Sequence, residues 1–161
     1  MEEKNKKRIA VVRLRGSINV SKKVKDTLNM LRLYKRNGCV VIPNTPYYIG
    51  MIIKTKDYIT WGEIDEQTFL ELVKQRGRIV GNKLLTEEYL KDKTKLSFDQ
   101  LTKNYFAFKI ELKQIPGLKL FFKLKPPAKG FERKGIKTPY SMGGALGYRK
   151  DKINDLIRRM L

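Results

Sequence analysis

Histidine is absent from the 161-residue sequence, and cysteine occurs once. The side chains that most often serve as general bases and metal ligands are therefore almost missing. A single cysteine excludes a disulfide within the chain and a cysteine-based metal site. Cys39 precedes Val40, Val41 and Ile42, which favours a small buried side chain over a nucleophile. We predict no catalytic residue, no metal site and no cofactor.

Acidic residues are scarce as well. The chain has 16 aspartates and glutamates against 36 lysines and arginines, which gives a net charge of +20. Charge of one sign at this density destabilises a compact fold by self-repulsion unless a polyanion neutralises it. Nucleic acid is the first candidate partner, and an anionic membrane surface is the second.

Long apolar runs are also lacking. No stretch reaches the roughly 18 apolar residues that a membrane-spanning helix requires. The charged segment Met1–Arg8 leads into only four apolar residues, too few for the apolar part of a signal peptide. We therefore expect a cytoplasmic protein with no membrane partner.

Residues 1–64 alternate strand and helix patterns, which predict β-α-β-α-β with short connections. The strands are expected at residues 9–14, 39–42 and 58–64. The first helix should run from Ser21 to about Arg36, where Asn37-Gly38 supplies a stop. The second should begin at Thr45-Pro46, end near Asp57 and turn Ile49, Ile52 and Ile53 inward.

Residues 65–115 have a different charge balance. The stretch 63–99 holds eight acidic and seven basic residues, so the surface that faces a polyanion should lie elsewhere. Helices are predicted at about 66–76, 86–92 and 98–113, the last opened by a capping box at Ser97. This acid-balanced insertion either forms a subdomain or packs on the sheet.

Residues 116–161 form the third predicted unit. Alternating apolar and basic residues predict a late strand over 118–124, which Pro126-Pro127 ends. Residues 128–150 are rich in glycine, lysine and arginine, which predicts an extended loop that gains order on RNA. A final amphipathic helix should follow Asp151 and pack back on the core.

The first helix carries a cationic pattern. Lys22, Lys25, Asn29, Arg32 and Arg36 follow a 3-4-3-4 spacing opposite the apolar stripe, with Asp26 as the one acid of that helix. A merely solvated face usually mixes glutamate with lysine, because such pairs support the helix. The bias favours phosphate contacts, although a solvated face stays an alternative.

The stretch 119–150 is the second cationic feature. Its nine lysines and arginines are opposed by Glu132 alone, and Phe131, Tyr140 and Tyr148 lie among them. Aromatic rings can stack on unpaired bases, and glycines let backbone N–H groups approach phosphates. The alternative is a mobile basic tail without specific contacts.

Two groups of aromatic residues are ambiguous. Tyr58 and Trp61 lie in a half-buried strand, where packing is favoured over base stacking. Tyr47 and Tyr48 begin the second helix beside Asn44, and one of them is a candidate for an exposed ring that faces RNA.

Three segments together carry a family resemblance: residues 9–16, the basic first helix, and the run from Leu28 through Val41-Ile42-Pro43-Asn44-Thr45-Pro46 to Gly50-Met51-Ile52. They resemble the L-thirty family of large-ribosomal-subunit proteins. Residues 126–161, with Gly143-Gly144-Ala145-Leu146-Gly147-Tyr148-Arg149, are similar to the longer archaeal and eukaryotic form, which is called L-seven in eukaryotes. The short arm at residues 1–8 favours an archaeal source.

The resemblance implies a ferredoxin-like α+β core and binding to large-subunit ribosomal RNA, near the 5S RNA. Neighbouring ribosomal proteins are expected against residues 65–115, and DNA is not expected as a partner. Together the cationic patterns and the resemblance yield one set of candidate RNA-binding residues: Arg13, Arg15, Lys22, Lys23, Lys25, Arg32, Arg36, Asn44, Thr45, Tyr47, Tyr48, Lys123, Lys125, Lys129, Arg133, Lys134, Lys137, Tyr140 and Arg149.

Other functions remain open at this point. A general RNA-binding chaperone or RNA-processing factor would share the charge. A metal-dependent nuclease built from aspartate and glutamate alone is the enzymatic alternative. A membrane-surface or DNA-architectural protein fits the charge but not the aromatic residues among the basic loops.

Overall fold

A computed structural model describes residues 7–161, so most of the charged arm predicted at residues 1–8 lies outside the described part. The helices and strands are, in chain order, β1 (Arg8–Arg13), α1 (Lys22–Met30), β2 (Gly38–Pro43), α2 (Pro46–Thr55), β3 (Ile59–Glu63), α3 (Glu66–Arg76), α4 (Glu87–Thr94), α5 (Phe98–Phe106), β4 (Phe122–Lys123), β5 (Gly147–Tyr148) and α6 (Lys152–Met160). Single 3-10 turns occur at Val80–Asn82, Leu112–Gln114, Gly135–Lys137 and Tyr140–Met142.

The strands form one sheet in the order β4-β2-β1-β3-β5. The central strand β1 is antiparallel to both β2 and β3, and β4 extends the sheet antiparallel to β2. At the other edge, β5 is parallel to β3. The predicted ferredoxin-like β-α-β-α-β core is confirmed, and two short strands extend it on either side.

Helices cover both faces of this sheet because β1 is apolar on both of its sides. On one face, Ile9 and Val11 pack with Leu28 of α1 and Ile52 of α2. On the other face, Ala10 and Val12 pack against a cluster that includes residues of α3, α5 and α6. The molecule therefore has three layers, with the sheet in the middle.

Residues 65–115 pack on the sheet. Phe69 of α3 stacks on Tyr105 of α5 with ring centroids 4.6 Å apart, and both rings belong to the buried cluster that α6 also joins. The capping box predicted at Ser97 is present, since its side chain accepts from Gln100 N and Gln100 caps the Ser97 N–H in return. The boundaries expected at residues 64 and 115 fall in connections between elements.

Arg8 lies in the core and not in an arm. Its guanidinium carbon is 3.8 Å from the ring centroid of Tyr105 and 4.0 Å from that of Phe108. It also forms a 2.7 Å ion pair with Glu111 and donates two hydrogen bonds to the carbonyl of Tyr105. One buried cation thus ties the first strand to the segment after α5.

Two predicted helices end earlier than expected, for the same reason. Helix α1 ends at Met30 and not at Arg36, because Arg32 adopts a left-handed φ of 59° and Leu33 N then bonds to Leu28 O. Helix α5 ends at Phe106 and not at residue 113, because Phe108 has a φ of 57° and Lys109 N bonds to Asn104 O. Both ends have the hydrogen bonds of Schellman motifs, which usually place glycine at the left-handed position.

Two further details were wrong. Ile53 is 57% exposed, although it was expected to point inward. The late strand, predicted over 118–124, is paired with β2 only at Phe122 and Lys123. Upstream of that pair the chain leaves the sheet, since Lys119 N bonds to Arg78 O and Leu118 bridges to Ile79.

Candidate nucleic-acid interface

The exposed side of α1 carries lysines. Lys22, Lys23 and Lys25 are exposed there together with Asn29. Arg32 and Arg36 are exposed too, but the early end of α1 places them in the following loop. The cationic face predicted for a single long helix is therefore divided between a helix and a loop.

The start of α2 separates the two tyrosines. Tyr47 is 86% exposed, whereas Tyr48 is half-buried against the cluster that contains Ile9. Asn44 is exposed and Thr45 is half-buried beside them. Of the pair, Tyr47 is the ring that is open to a partner.

Arg15 and Lys137 meet at one edge of the sheet, in what we call the β5-edge cleft. The cleft measures about 630 Å³ and is also lined by Lys56, Tyr58 and Trp61. The Arg15 guanidinium lies 5.0 Å from the Tyr58 ring centroid and donates a 3.0 Å hydrogen bond to the carbonyl of Asp57. Cations and aromatic rings are thus combined at this edge.

Arg32, Arg36 and Lys123 meet at the opposite edge, in what we call the β4-edge cleft. It measures about 290 Å³ and contains three more cations, Lys35, Arg78 and Lys119, with Tyr34, Gly38, Asn82 and Phe121. Lys125 lines a neighbouring cavity that shares Arg78 and Lys123 with the cleft. The two clefts lie at opposite ends of the sheet.

Arg13 does not reach either cleft. Its side chain is 1% exposed, and its guanidinium donates to the carbonyls of Leu33 and Tyr34 at 2.7 and 3.2 Å and to Ser17 Oγ at 2.8 Å. Burial lowers the pKa of this guanidinium. The expectation of an RNA contact at Arg13 is therefore corrected, because protein oxygens occupy its donors and it fixes the loop after α1 instead.

Arg149 is likewise internal. It pairs with Glu132 at 2.6 Å, donates to Thr60 Oγ1 and to the carbonyl of Ala145, and lies 4.6 Å from the centroid of the half-buried Tyr140 ring. Burial alone would raise the pKa of Glu132, but hydrogen bonds and the charges of Arg149 and Arg159 outweigh it and lower that pKa. Arg149 thus holds the loop together, and Tyr140 has one ring face committed to it.

Residues 128–150 are consequently folded, which corrects the expectation of an extended loop without its own order. Ala145 and Leu146 are buried, and β5 pairs with β3. Tyr148 donates a 2.6 Å hydrogen bond to Glu63, which together with burial raises the pKa of Tyr148 to about 12. Lys129, Arg133 and Lys134 remain exposed on the outside of this folded loop.

Several surface residues were missed by the sequence reasoning. Lys119 lies in the predicted basic stretch but outside the candidate set, and the sequence pattern gives no signal for Lys35 or Lys56. Arg78 carried no signal, because it lies in the acid-balanced segment and reaches the β4-edge cleft only through the fold. Tyr34, which the sequence pattern does not single out, is 49% exposed in the cleft.

Within residues 7–161 there is no cluster of three or more residues suited to holding a metal ion. In the same range, no helix is long and apolar enough to span a bilayer. A ferredoxin-like sheet with cationic and aromatic side chains at both edges is typical of basic α+β domains that bind polyanions.

Comparison with known proteins identifies the family. Residues 9–59 match the model of the family described as Ribosomal protein L30p/L7e. A "Large ribosomal subunit protein uL30" of Methanococcus maripaludis is 51% identical over 152 residues, which cover 94% of this chain and 98% of the relative. The proteins of the same name from Nanoarchaeum equitans and Methanopyrus kandleri are 51% and 47% identical, over 94% and 92% of this chain and 97% and 100% of theirs. The chain belongs to the L30p/L7e family of ribosomal proteins.

Proposed function

We propose that the chain is a structural, non-enzymatic constituent of the large ribosomal subunit of the cytoplasmic ribosome, where it binds and stabilises ribosomal RNA. The observation that carries this proposal is the open cationic surface at both edges of the sheet, in a chain with a net charge of +20. Phosphate contacts by lysine and arginine provide most of the affinity in such interfaces. Membership of the family and the names of the relatives support the ribosomal assignment.

The exposed members of the candidate set, together with half-buried Arg15 and Thr45, are proposed to face RNA. Arg15 and Lys137 would act in the β5-edge cleft, and the α1 lysines with Asn44, Thr45 and Tyr47 would act beside the helical layer. Half-buried Tyr48 and Tyr140 would contribute at most a ring edge. The remaining exposed members are Arg32, Arg36, Lys123, Lys125, Lys129, Arg133 and Lys134.

Co-sedimentation tests this function. The purified chain should remain with large ribosomal subunits after a wash at high salt, and its affinity for large-subunit RNA should fall steeply as salt rises, with a log–log slope of several units. A random RNA duplex of equal length serves as the control. Equal binding to that duplex would favour a general RNA chaperone instead.

Trp61 provides a local reporter, because it is the only tryptophan of the chain and it lines the β5-edge cleft. Its fluorescence should change when large-subunit RNA binds, and Lys137→Glu should reduce both the change and the affinity. Lys103→Glu, an exposed position of α5, is the matched control. An unaltered Trp61 signal at saturation would remove this cleft from the interface.

The proposal extends to two specific partners, the 5S RNA and neighbouring ribosomal proteins. We expect binding near the 5S RNA, which a comparison of crosslinks to 5S RNA with crosslinks to the larger RNA in intact subunits would test. The balanced charge of residues 63–99 suits a protein neighbour better than a second polyanion. Crosslinks from Lys91 or Lys93 of α4 should therefore reach protein and not RNA.

A further inference from the structure

We propose that the β4-edge cleft is a binding site for single-stranded RNA, in which its six cations contact the phosphates and the Tyr34–Phe121 pair receives one unpaired base. The inference rests on the proposed function in one respect, since RNA is the ligand in both. It goes further because it assigns single-stranded RNA, and a set of residues that bind it, to one edge of the sheet.

The charge of the cleft is uncompensated. Arg32, Lys35, Arg36, Arg78, Lys119 and Lys123 line it, and among the described residues that line it none is acidic. No ion pair joins any of these six cations to a carboxylate of residues 7–161. Six like charges around about 290 Å³ repel one another until an anion enters.

The walls of the cleft are fixed by backbone hydrogen bonds. The turn at residues 78–84 is joined to the chain before β4, because Lys119 N bonds to Arg78 O at 2.8 Å and Val80 N bonds to Gly117 O at 2.9 Å. The loop after α1 is joined to the same chain where Leu124 N bonds to Asn37 O at 2.9 Å. The cations are therefore carried on a preformed frame, and less ordering is needed on binding.

The loop itself is held in an unusual conformation. Arg32 has a left-handed φ of 59°, which is unfavourable for a residue with a β-carbon. From the interior, Arg13 donates hydrogen bonds to the carbonyls of Leu33 and Tyr34, the two residues that follow Arg32. Arg13 is thus a positioning residue, whose buried side chain orients the loop that presents Arg32, Tyr34 and Lys35.

The aromatic pair adds a surface that phosphate binding alone does not need. Tyr34 and Phe121 meet edge to face, with centroids 5.5 Å apart and planes at 83°. Such a pair uses only one of the four ring faces, and 49% of Tyr34 is still exposed. Bases stack on faces of this kind in single-stranded RNA, whereas the bases of a duplex are already stacked on one another.

Asn82 completes the polar lining. It has a left-handed φ of 61° at the end of the 3-10 turn, and its Oδ1 accepts a 3.3 Å hydrogen bond from Lys119 Nζ. Its amide group can donate to or accept from the edge of a base. Phosphate contacts, a ring face and an amide are the combination that single-stranded RNA recognition employs.

The test uses a charge reversal with a matched control. Arg78→Glu combined with Lys119→Glu changes two cleft cations, and Lys103→Glu combined with Lys109→Glu makes the same change in net charge at exposed positions outside the cleft. Binding is measured to a 12-nucleotide single-stranded RNA, to a duplex of the same sequence and to salt-washed large subunits. Thermal unfolding shows whether each variant is folded.

The expected result is a loss of about tenfold or more in affinity for the single strand in the cleft variant, with a log–log salt slope reduced by about two units. The control should lose at most a few-fold. Equal affinities of the cleft variant and the control would overturn the proposal, and so would preference for the duplex by the unaltered chain.

A second pair of variants isolates the aromatic contribution. Tyr34→Phe retains the ring and should bind the single strand as the unaltered chain does, whereas Tyr34→Leu should bind about tenfold more weakly at unchanged salt slope. Equal binding by both variants would overturn the stacking part. A chain that binds the single strand through the cleft but not large subunits would support the cleft and contradict the ribosomal function, so the two failures are distinguishable.

Discussion

The two edges of the sheet use cations differently. At the β5 edge, Arg149 is paired with Glu132 and buried, and Tyr148 is bonded to Glu63. At the β4 edge, six cations share a cleft whose described lining contains no acid. Where a carboxylate lies close, as Glu132 does to Arg149, the arginine stabilises the fold, whereas the cations of the β4-edge cleft have no such partner among the described residues and stay available.

Loss of Arg149 should have the largest effect on stability. Arg149→Met removes the closest partner of Glu132 and the donor to Thr60 Oγ1, so it should lower the free energy of unfolding by about 3 kcal/mol. Lys150→Met removes an exposed neighbouring cation and should change it by less than about 0.5 kcal/mol. Urea denaturation measures both, and similar values for the two variants would remove the distinction between the edges.

Glycine-to-alanine substitutions compare how tightly the backbone is packed at β3, at β2 and in α2. A β-carbon at Gly62 of β3 would lie 2.0 Å from the carbonyl oxygen of Lys150, so Gly62→Ala should cost about 2 kcal/mol and displace the start of α6. At Gly38 of β2, the nearest atom would be 3.0 Å away, and Gly38→Ala should cost less. Gly50→Ala meets nothing within 4 Å in α2 and should stabilise by about 0.5 kcal/mol. Thermal unfolding of the three variants would rank them.

Charge reversal at the β4 edge should leave the free protein folded. Arg78→Glu with Lys119→Glu removes repulsion and breaks no ion pair among the described residues, so we expect a free energy of unfolding within about 0.5 kcal/mol of the original. Any change should be towards greater stability at low salt and should vanish as salt rises. A loss as large as that of Arg149→Met would mean that these cations are structural after all.

Lowering the pH should reduce the stability of the β5 edge slightly, through the protonation of Glu132. The pKa of Glu132 is lowered in the folded chain, so its contribution to stability is fully present above the ordinary glutamate pKa of about 4.3 and is lost as the pH falls through the lowered value. Glu132→Gln should therefore flatten the decline in unfolding free energy between about pH 5 and pH 2. An unchanged slope would indicate that other carboxylates account for it.

Much of the fold follows from the sequence, because its signals are local. The β-α-β-α-β order, the start of α2 at Pro46 and the capping box at Ser97 depend on residues within a few positions of one another. The ends of α1 and α5 were wrong because Arg32 and Phe108 take a left-handed conformation that residues of their type rarely adopt. At the end of α1 the left-handed Arg32 is followed by Leu33, whose complete burial is a property of the tertiary fold.

The site was only partly predictable, because burial of a cation depends on distant partners. Arg8 meets Glu111, which lies 103 residues away in the sequence, and Arg78 reaches Lys119 through a turn that lies in the predicted acid-balanced insertion. For Arg149, in contrast, the sequence carried a signal of its structural role. Glu132 is the sole acid among residues 119–150, and this isolation was a visible indication of a structural ion pair.

The two-sided burial of β1 has a consequence for synthesis on the ribosome. The face that carries Ile9 and Val11 is covered by α1 and α2, which emerge soon after β1. The face that carries Ala10 and Val12 is covered by α3, α5 and α6, and α6 (Lys152–Met160) is made long after β1, so part of this apolar face stays uncovered in the nascent chain. An apolar sheet face that is exposed during synthesis favours aggregation.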